Sequence, residues 1–205
     1  MNIPIPKLHL NYAYPLDRDR RQLFADKNLG PYPSIEEVKN KVIEWRKIWD
    51  DLNIEDKVFK LLIEVMGVNL PRDLELYIFG AGLNAMSSPL IIPIMNKSGR
   101  IFTDDEFSEI VIHEIIHRFV NDSRNNIGIE DYWNAIRKEY VNESILVQNH
   151  IIIYASLEIV LIGLFGKERL KDFMNPKHPD YRRAIDIVIE KGAQNLIKQF
   201  RNYLK

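Results

Sequence analysis

Residues 151–165, IIIYASLEIVLIGLF, constrain this chain more than any other stretch. The run is shorter than the ~18–20 residues a membrane-spanning helix needs, and Glu158 interrupts it. The expectation is a buried helix in a cytosolic protein, without membrane contact. A helix of that kind needs a core around it, and 205 residues suffice for one well-buried core or a core plus an appendage. Apolar residues at 46% and charged residues at 28% are ordinary for a soluble globular protein. The net charge of −1 gives no reason to expect a nucleic-acid surface. There is no cysteine, which excludes disulfides, thiolate metal sites and cysteine nucleophiles. Any metal must be held by His, Asp, Glu or water.

Along the chain, residues 1–33 read as an extended, Pro-rich N-terminal arm, with prolines at 4, 6, 15, 31 and 33. Two prolines and no apolar run in the first ten residues argue against a signal peptide. A single domain is expected over 34–205. Ser34 and Glu37 form a capping box, and Val38, Val42, Trp45 and Trp49 continue a helical stripe behind it. A second helix is expected from about Ile54 to Met66. The alternation of 74–79, LELYIF, predicts a strand. Residues 90–95, LIIPIM, predict another, pushed toward an edge or a bulge by Pro93. Thr103 and Glu106 form a second capping box, opening a helix to about Val120 that DSRNN, 122–126, breaks. One long helix, kinked near 150, is expected from about Glu130 to Gly166. A short helix over 167–174, a loop over 175–179 and a closing helix over 180–205 complete the chain. The fold class is α+β: mostly helical, with a small sheet just before the 103–120 helix.

That helix carries EIVIHEIIHRFV, residues 109–120. Residues i and i+4 of a helix lie one above the other, so His113 and His117 can both direct a ring nitrogen at one metal ion. Glu114 lies about 100° around the helix, off that corner but within reach of a water the metal would hold. A metal lowers the pKa of such a water and polarises a carbonyl, and a neighbouring carboxylate takes up the proton. A third protein ligand completes a catalytic zinc site. Glu143 and His150, seven residues apart and so on nearly one helix face, are both candidates.

The HExxH helix resembles that of the zincin metallopeptidases. The metzincin continuation is missing, because Val120 and Ser123 stand at its Gly and third His positions. Tyr140-Val141-Asn142-Glu143-Ser144 is similar to the segment from which gluzincins take a glutamate ligand, so the resemblance implies His113, His117 and Glu143 around one Zn2+ ion, with Glu114 as general base. Val147 stands where gluzincins commonly carry an Asp that supports the site. Asn84-Ala85-Met86 resembles the substrate-binding edge strand of thermolysin-like enzymes. His178, within Pro176-Lys177-His178-Pro179-Asp180-Tyr181-Arg182-Arg183, resembles a histidine that faces the site in integral-membrane metallopeptidases. It is the expected donor to the carbonyl oxygen, with Tyr181, Arg182 and Arg183 as further candidates. Among small gluzincins the chain most resembles the minigluzincins. The resemblance implies a zincin-like fold: a small twisted sheet, the HExxH helix, then a glutamate helix.

The expected function is a cytoplasmic zinc metallopeptidase that hydrolyses extended peptide or protein substrates through Glu114. The alternative is a zincin-like metal-binding module with little or no turnover.

Overall fold

Both capping boxes form, and each sets the first residue of its helix. The Glu37 N–H donates to Ser34 Oγ at 3.1 Å and the Ser34 N–H to Glu37 Oε2 at 2.7 Å. The same exchange joins Thr103 and Glu106, at 3.2 and 2.9 Å. Arg100 grips Glu106 with both terminal nitrogens, and this hydrogen bonding holds the Glu106 carboxyl down at about 2. In the computed structural model, which describes residues 5–51, 53–68, 73–122, 128–170, 176 and 178–204, the chain divides into two compact units. The first comprises 1–56 and 71–115, the second 57–70 and 116–205.

The first unit holds a four-stranded mixed sheet. Its strands are β1 (Leu8–Tyr12), β2 (Leu74–Phe79), β3 (Met86–Ser87) and β4 (Leu90–Pro93), in the order β1-β2-β4-β3. β1 pairs parallel with β2 from Leu8↔Leu74, and β2 parallel with β4 from Tyr77↔Ile91. Only the short edge strand β3 is antiparallel to its neighbour. Helices α1 (Tyr14–Lys27) and α2 (Ile35–Asp51) lie between β1 and β2 in sequence. α2 buries Val38, Val42, Trp45 and Trp49, and Trp45 stacks on Phe107 with ring centroids 3.9 Å apart. A smaller cluster joins Ala13 and Leu16 to Phe79, Leu83 and Ile91.

Two expectations fail here. Residues 8–27 are not a free extended arm but the first strand of the sheet followed by a helix; residues 1–4 lie outside the described residues. Pro15 permits that helix because it falls in the first turn, where a missing N–H costs nothing. Pro93 marks neither an edge nor a bulge. It ends an inner strand, and the next residue supplies the bond, with the Ile94 N–H donating to the Phe79 carbonyl at 2.8 Å.

Helix α3 (Ile54–Met66) belongs mostly to the second unit, and helix α4 (Asp104–Asp122) runs from the first into the second. The second unit continues with α5 (Ile129–Glu139), α6 (Ile145–Phe165), a 3-10 turn at Lys167–Arg169, α7 (Pro179–Lys191) and α8 (Ala193–Tyr203). α6 carries the apolar run and extends it toward the N-terminus to 21 residues. By length and composition it could cross a membrane, but 67% of its most apolar window is buried within the protein, where it packs on α7 and α8. The single helix expected from Glu130 is two helices. The chain turns over 140–144, and Ser144 caps α6 by accepting the Val147 N–H at 3.2 Å. The closing helix is also divided, at Gly192, whose φ of 82° suits a residue without Cβ. Most of the breaker expected over 122–126, and part of the short helix expected over 167–174, lie outside the described residues.

Candidate metal centre

α4 presents His113, Glu114 and His117, and α6 presents His150. The three histidines offer ligand nitrogens that all lie within 4.8 Å of one another. The His117 and His150 rings meet edge to face, centroids 4.9 Å apart at 74°. His150 Nδ1 stands 2.8 Å from the Leu146 carbonyl one turn back, which accepts a hydrogen bond from the Nδ1–H tautomer. That leaves the lone pair on Nε2, the usual way a second contact orients a metal-binding histidine. Burial, then the neighbouring His150, pushes His117 down to about 4. Burial likewise lowers His150. Neutral imidazole is the protonation state a metal requires. A set of three imidazoles with no thiolate could hold zinc or a similar first-row ion.

Glu114, between the two α4 histidines, is 8% exposed, and burial pushes its carboxyl up to about 7. Among the described residues no hydrogen bond or ion pair holds that carboxylate.

Glu143 does not join this group. It lies in the turn before α6, not on a helix, and its Oε1 accepts from Arg183 Nε at 2.8 Å and Nη2 at 2.7 Å. The turn is fixed from within by Gln148, whose amide donates to the Tyr140 and Glu143 carbonyls at 2.8 and 3.0 Å. Because α6 starts only at Ile145, His150 is the residue that the helix brings to His117. The histidine group therefore has His150 where the resemblance implied Glu143.

Asn84 and Ala85 are not themselves in a strand; they lead directly into the edge strand β3. His178 caps α7, its Nδ1 accepting the Asp180 N–H at 3.3 Å. Its ring lies 5.0 Å from that of Tyr181, and Tyr181 lies 4.7 Å from His150. Tyr181 is thus the member of this segment in ring contact with the histidine group, and His178 is near enough to His150 to help lower its pKa. Tyr154, one turn after His150, packs beside it with centroids 5.9 Å apart. That i, i+4 spacing was visible in the sequence. The approach of Tyr181 depends on how α7 packs on α6 and left no local signal.

His117 and His150 also form part of the wall of an open cavity of about 670 Å³. Its opposite side is α5, which contributes Glu130, Trp133, Asn134 and Arg137. Their i, i+3, i+4, i+7 spacing is the sequence signal that could have found them. No family model matches the chain, and neither a curated protein nor a solved structure matches it.

Proposed function

We propose that the protein is a zinc-dependent hydrolase of peptide bonds, with His113, His117 and His150 as metal ligands and Glu114 as general base. The observation that carries this reading is the convergence of three histidine nitrogens beside a buried carboxylate. Zinc held there supplies a Lewis acid and an acidified water. Glu114, with a pKa near neutrality, is suited to accept a proton and deliver it to the leaving amine. The Leu146 carbonyl keeps the His150 ring in its ligating tautomer. Tyr181, whose ring lies against that of His150, is the candidate donor to the developing oxyanion, with His178 beside it as the second.

The zincin-like architecture is part of the same proposal. Its support is the order of a small sheet with an antiparallel edge strand, then the HExxH helix, then a helix bringing a third ligand. A peptide substrate belongs to it, as does a cytoplasmic location, supported by the packing of α6 on α7 and α8. A second reading, a metal-binding module without useful turnover, draws on one departure from the gluzincin pattern: Glu143 is engaged by Arg183. Metal analysis and cleavage of a quenched peptide separate the two. The hydrolase reading expects about one zinc per chain, lost in His150→Ala, and cleavage abolished by chelator. Stoichiometric zinc with no cleavage of any peptide would leave the binding module.

A further inference from the structure

The face of α5 toward the cavity carries two opposite charges. Glu130 and Arg137 are seven residues apart, so they lie on one side of the helix, about 10.5 Å apart along its axis. Trp133 and Asn134 fill the turn between them, and all four line the cavity that His117 and His150 wall on the other side. The opposite face of α5, with Tyr132 and Ile136, is buried, so the helix cannot turn this stripe elsewhere. Arg137 Nη1 donates to Asn134 Oδ1 at 3.3 Å, which aims the guanidinium along the stripe. The cavity is therefore negative at one end, positive at the other and aromatic in the middle. Its volume falls in the range of small-ligand sites.

An extended peptide of three residues spans about 10 Å, with an ammonium at one end and a carboxylate at the other. We infer that the cavity binds short peptides with both ends free, tripeptides above all, pairing the amino terminus with Glu130 and the terminal carboxylate with Arg137. A long polypeptide brings no terminal charges to these two side chains. The chemistry of this inference rests on the hydrolase reading; the binding rests on the cavity alone. The protein becomes a peptidase that finishes the breakdown of fragments rather than one that cuts intact chains.

Trp133 supplies the readout. Of the three tryptophans in the chain, Trp45 and Trp49 are at most 1% exposed, whereas Trp133 lines the cavity. The zinc-loaded protein carrying Glu114→Gln is titrated with Ala-Leu-Ala, its C-terminal amide and its N-acetyl form, following fluorescence, with Trp133→Phe as control. Each cap should weaken binding about tenfold or more, the scale of a charge-assisted hydrogen bond. Arg137→Met should abolish discrimination between acid and amide while keeping that between free and acetylated amine, and Glu130→Gln should do the reverse. Both side chains are exposed, and unchanged melting temperatures verify the fold. Binding of all three probes within twofold, or an Arg137→Met protein that still prefers the acid, overturns the inference. Wild-type cleavage of long, doubly capped peptides as fast as Ala-Leu-Ala overturns it too, while leaving the hydrolase reading intact. End-dependent binding with no cleavage of any peptide supports the pocket and defeats the hydrolase.

Discussion

Asp17 and Glu114 are both buried carboxyl groups, prepared in opposite ways. Asp17 is fully buried and surrounded by donors. The hydroxyls of Tyr12 and Tyr32 reach it at 2.8 and 2.9 Å, the Gly80 N–H at 2.7 Å and Arg21 Nη2 at 2.9 Å. Tyr32 packs so close that a Cβ on Gly80 would lie 2.4 Å from its ring, so the arrangement depends on glycine there. Glu114 is almost as buried but has no such donors among the described residues, and burial alone lifts its pKa to about 7. A buried carboxylate with four donors ties α1 to the end of β2. A buried carboxyl without them exchanges its proton near neutral pH. Burial alone does not distinguish structure from chemistry; the donors do.

The sharpest test of this contrast is Glu114→Gln, which should cut peptide turnover roughly 10²- to 10⁴-fold while zinc content stays at the wild-type level. Turnover within tenfold of wild type would break the comparison at its functional end. Next in size, Asp17→Ala should destabilise the protein by about 2–4 kcal/mol, because it leaves the buried Gly80 N–H, two tyrosine hydroxyls and the half-buried Arg21 guanidinium without their acceptor. Chemical denaturation measures this, and kcat of the folded protein should not change. Metal-free protein gives the third test. Glu114 rises from 4.5 to about 7 on folding, so its contribution to stability is full below pH 4.5 and disappears as the pH climbs to about 7. His117 falls from 6.5 to about 4, so its contribution is lost as the pH falls through that window and regained as it rises. The two oppose each other between pH 4.5 and 6.5. Glu114→Gln should remove one of them and make stability climb with pH, exceeding wild type by up to about 3 kcal/mol at pH 7. Parallel pH profiles for the two proteins would contradict the raised Glu114 pKa. The smallest effect belongs to Glu143, whose ion pair with Arg183 is partly exposed: Glu143→Ala should cost less than about 1 kcal/mol and release no zinc. Loss of metal in that variant would restore the glutamate ligand that the sequence resemblance implies.

The sequence revealed what depends on neighbours a few residues away. The two capping boxes, strands β2 and β4 and the stacked pair His113 and His117 are all written in spacings of two to four residues. What escaped depends on distant partners or on one ambiguous residue. β1 has no strand signature of its own beyond a few alternating residues and is a strand because β2 accepts it, 66 positions later. Ser144 could be read as a helix interior or as a cap. Taken as interior, it put Glu143 on a helix and in line for the metal; as a cap, it starts α6 at Ile145 and delivers His150 instead. The approach of Tyr181 to His150 needed the packing of α7 on α6, which no local pattern encodes.

The pairing of β1 with β2 also bears on synthesis. The first strand of the sheet is made early, but its partner begins only at Leu74. At about 5–20 residues per second, β1 waits on the order of 3–13 s with its backbone edge unclaimed while the intervening helices emerge. During that interval the nascent chain holds α1 and α2 without the sheet they pack on, and a chaperone or a neighbouring ribosome's product can compete for Leu8 and Leu10. Slowing translation between codons 28 and 74 lengthens that competition without altering a single contact of the finished protein.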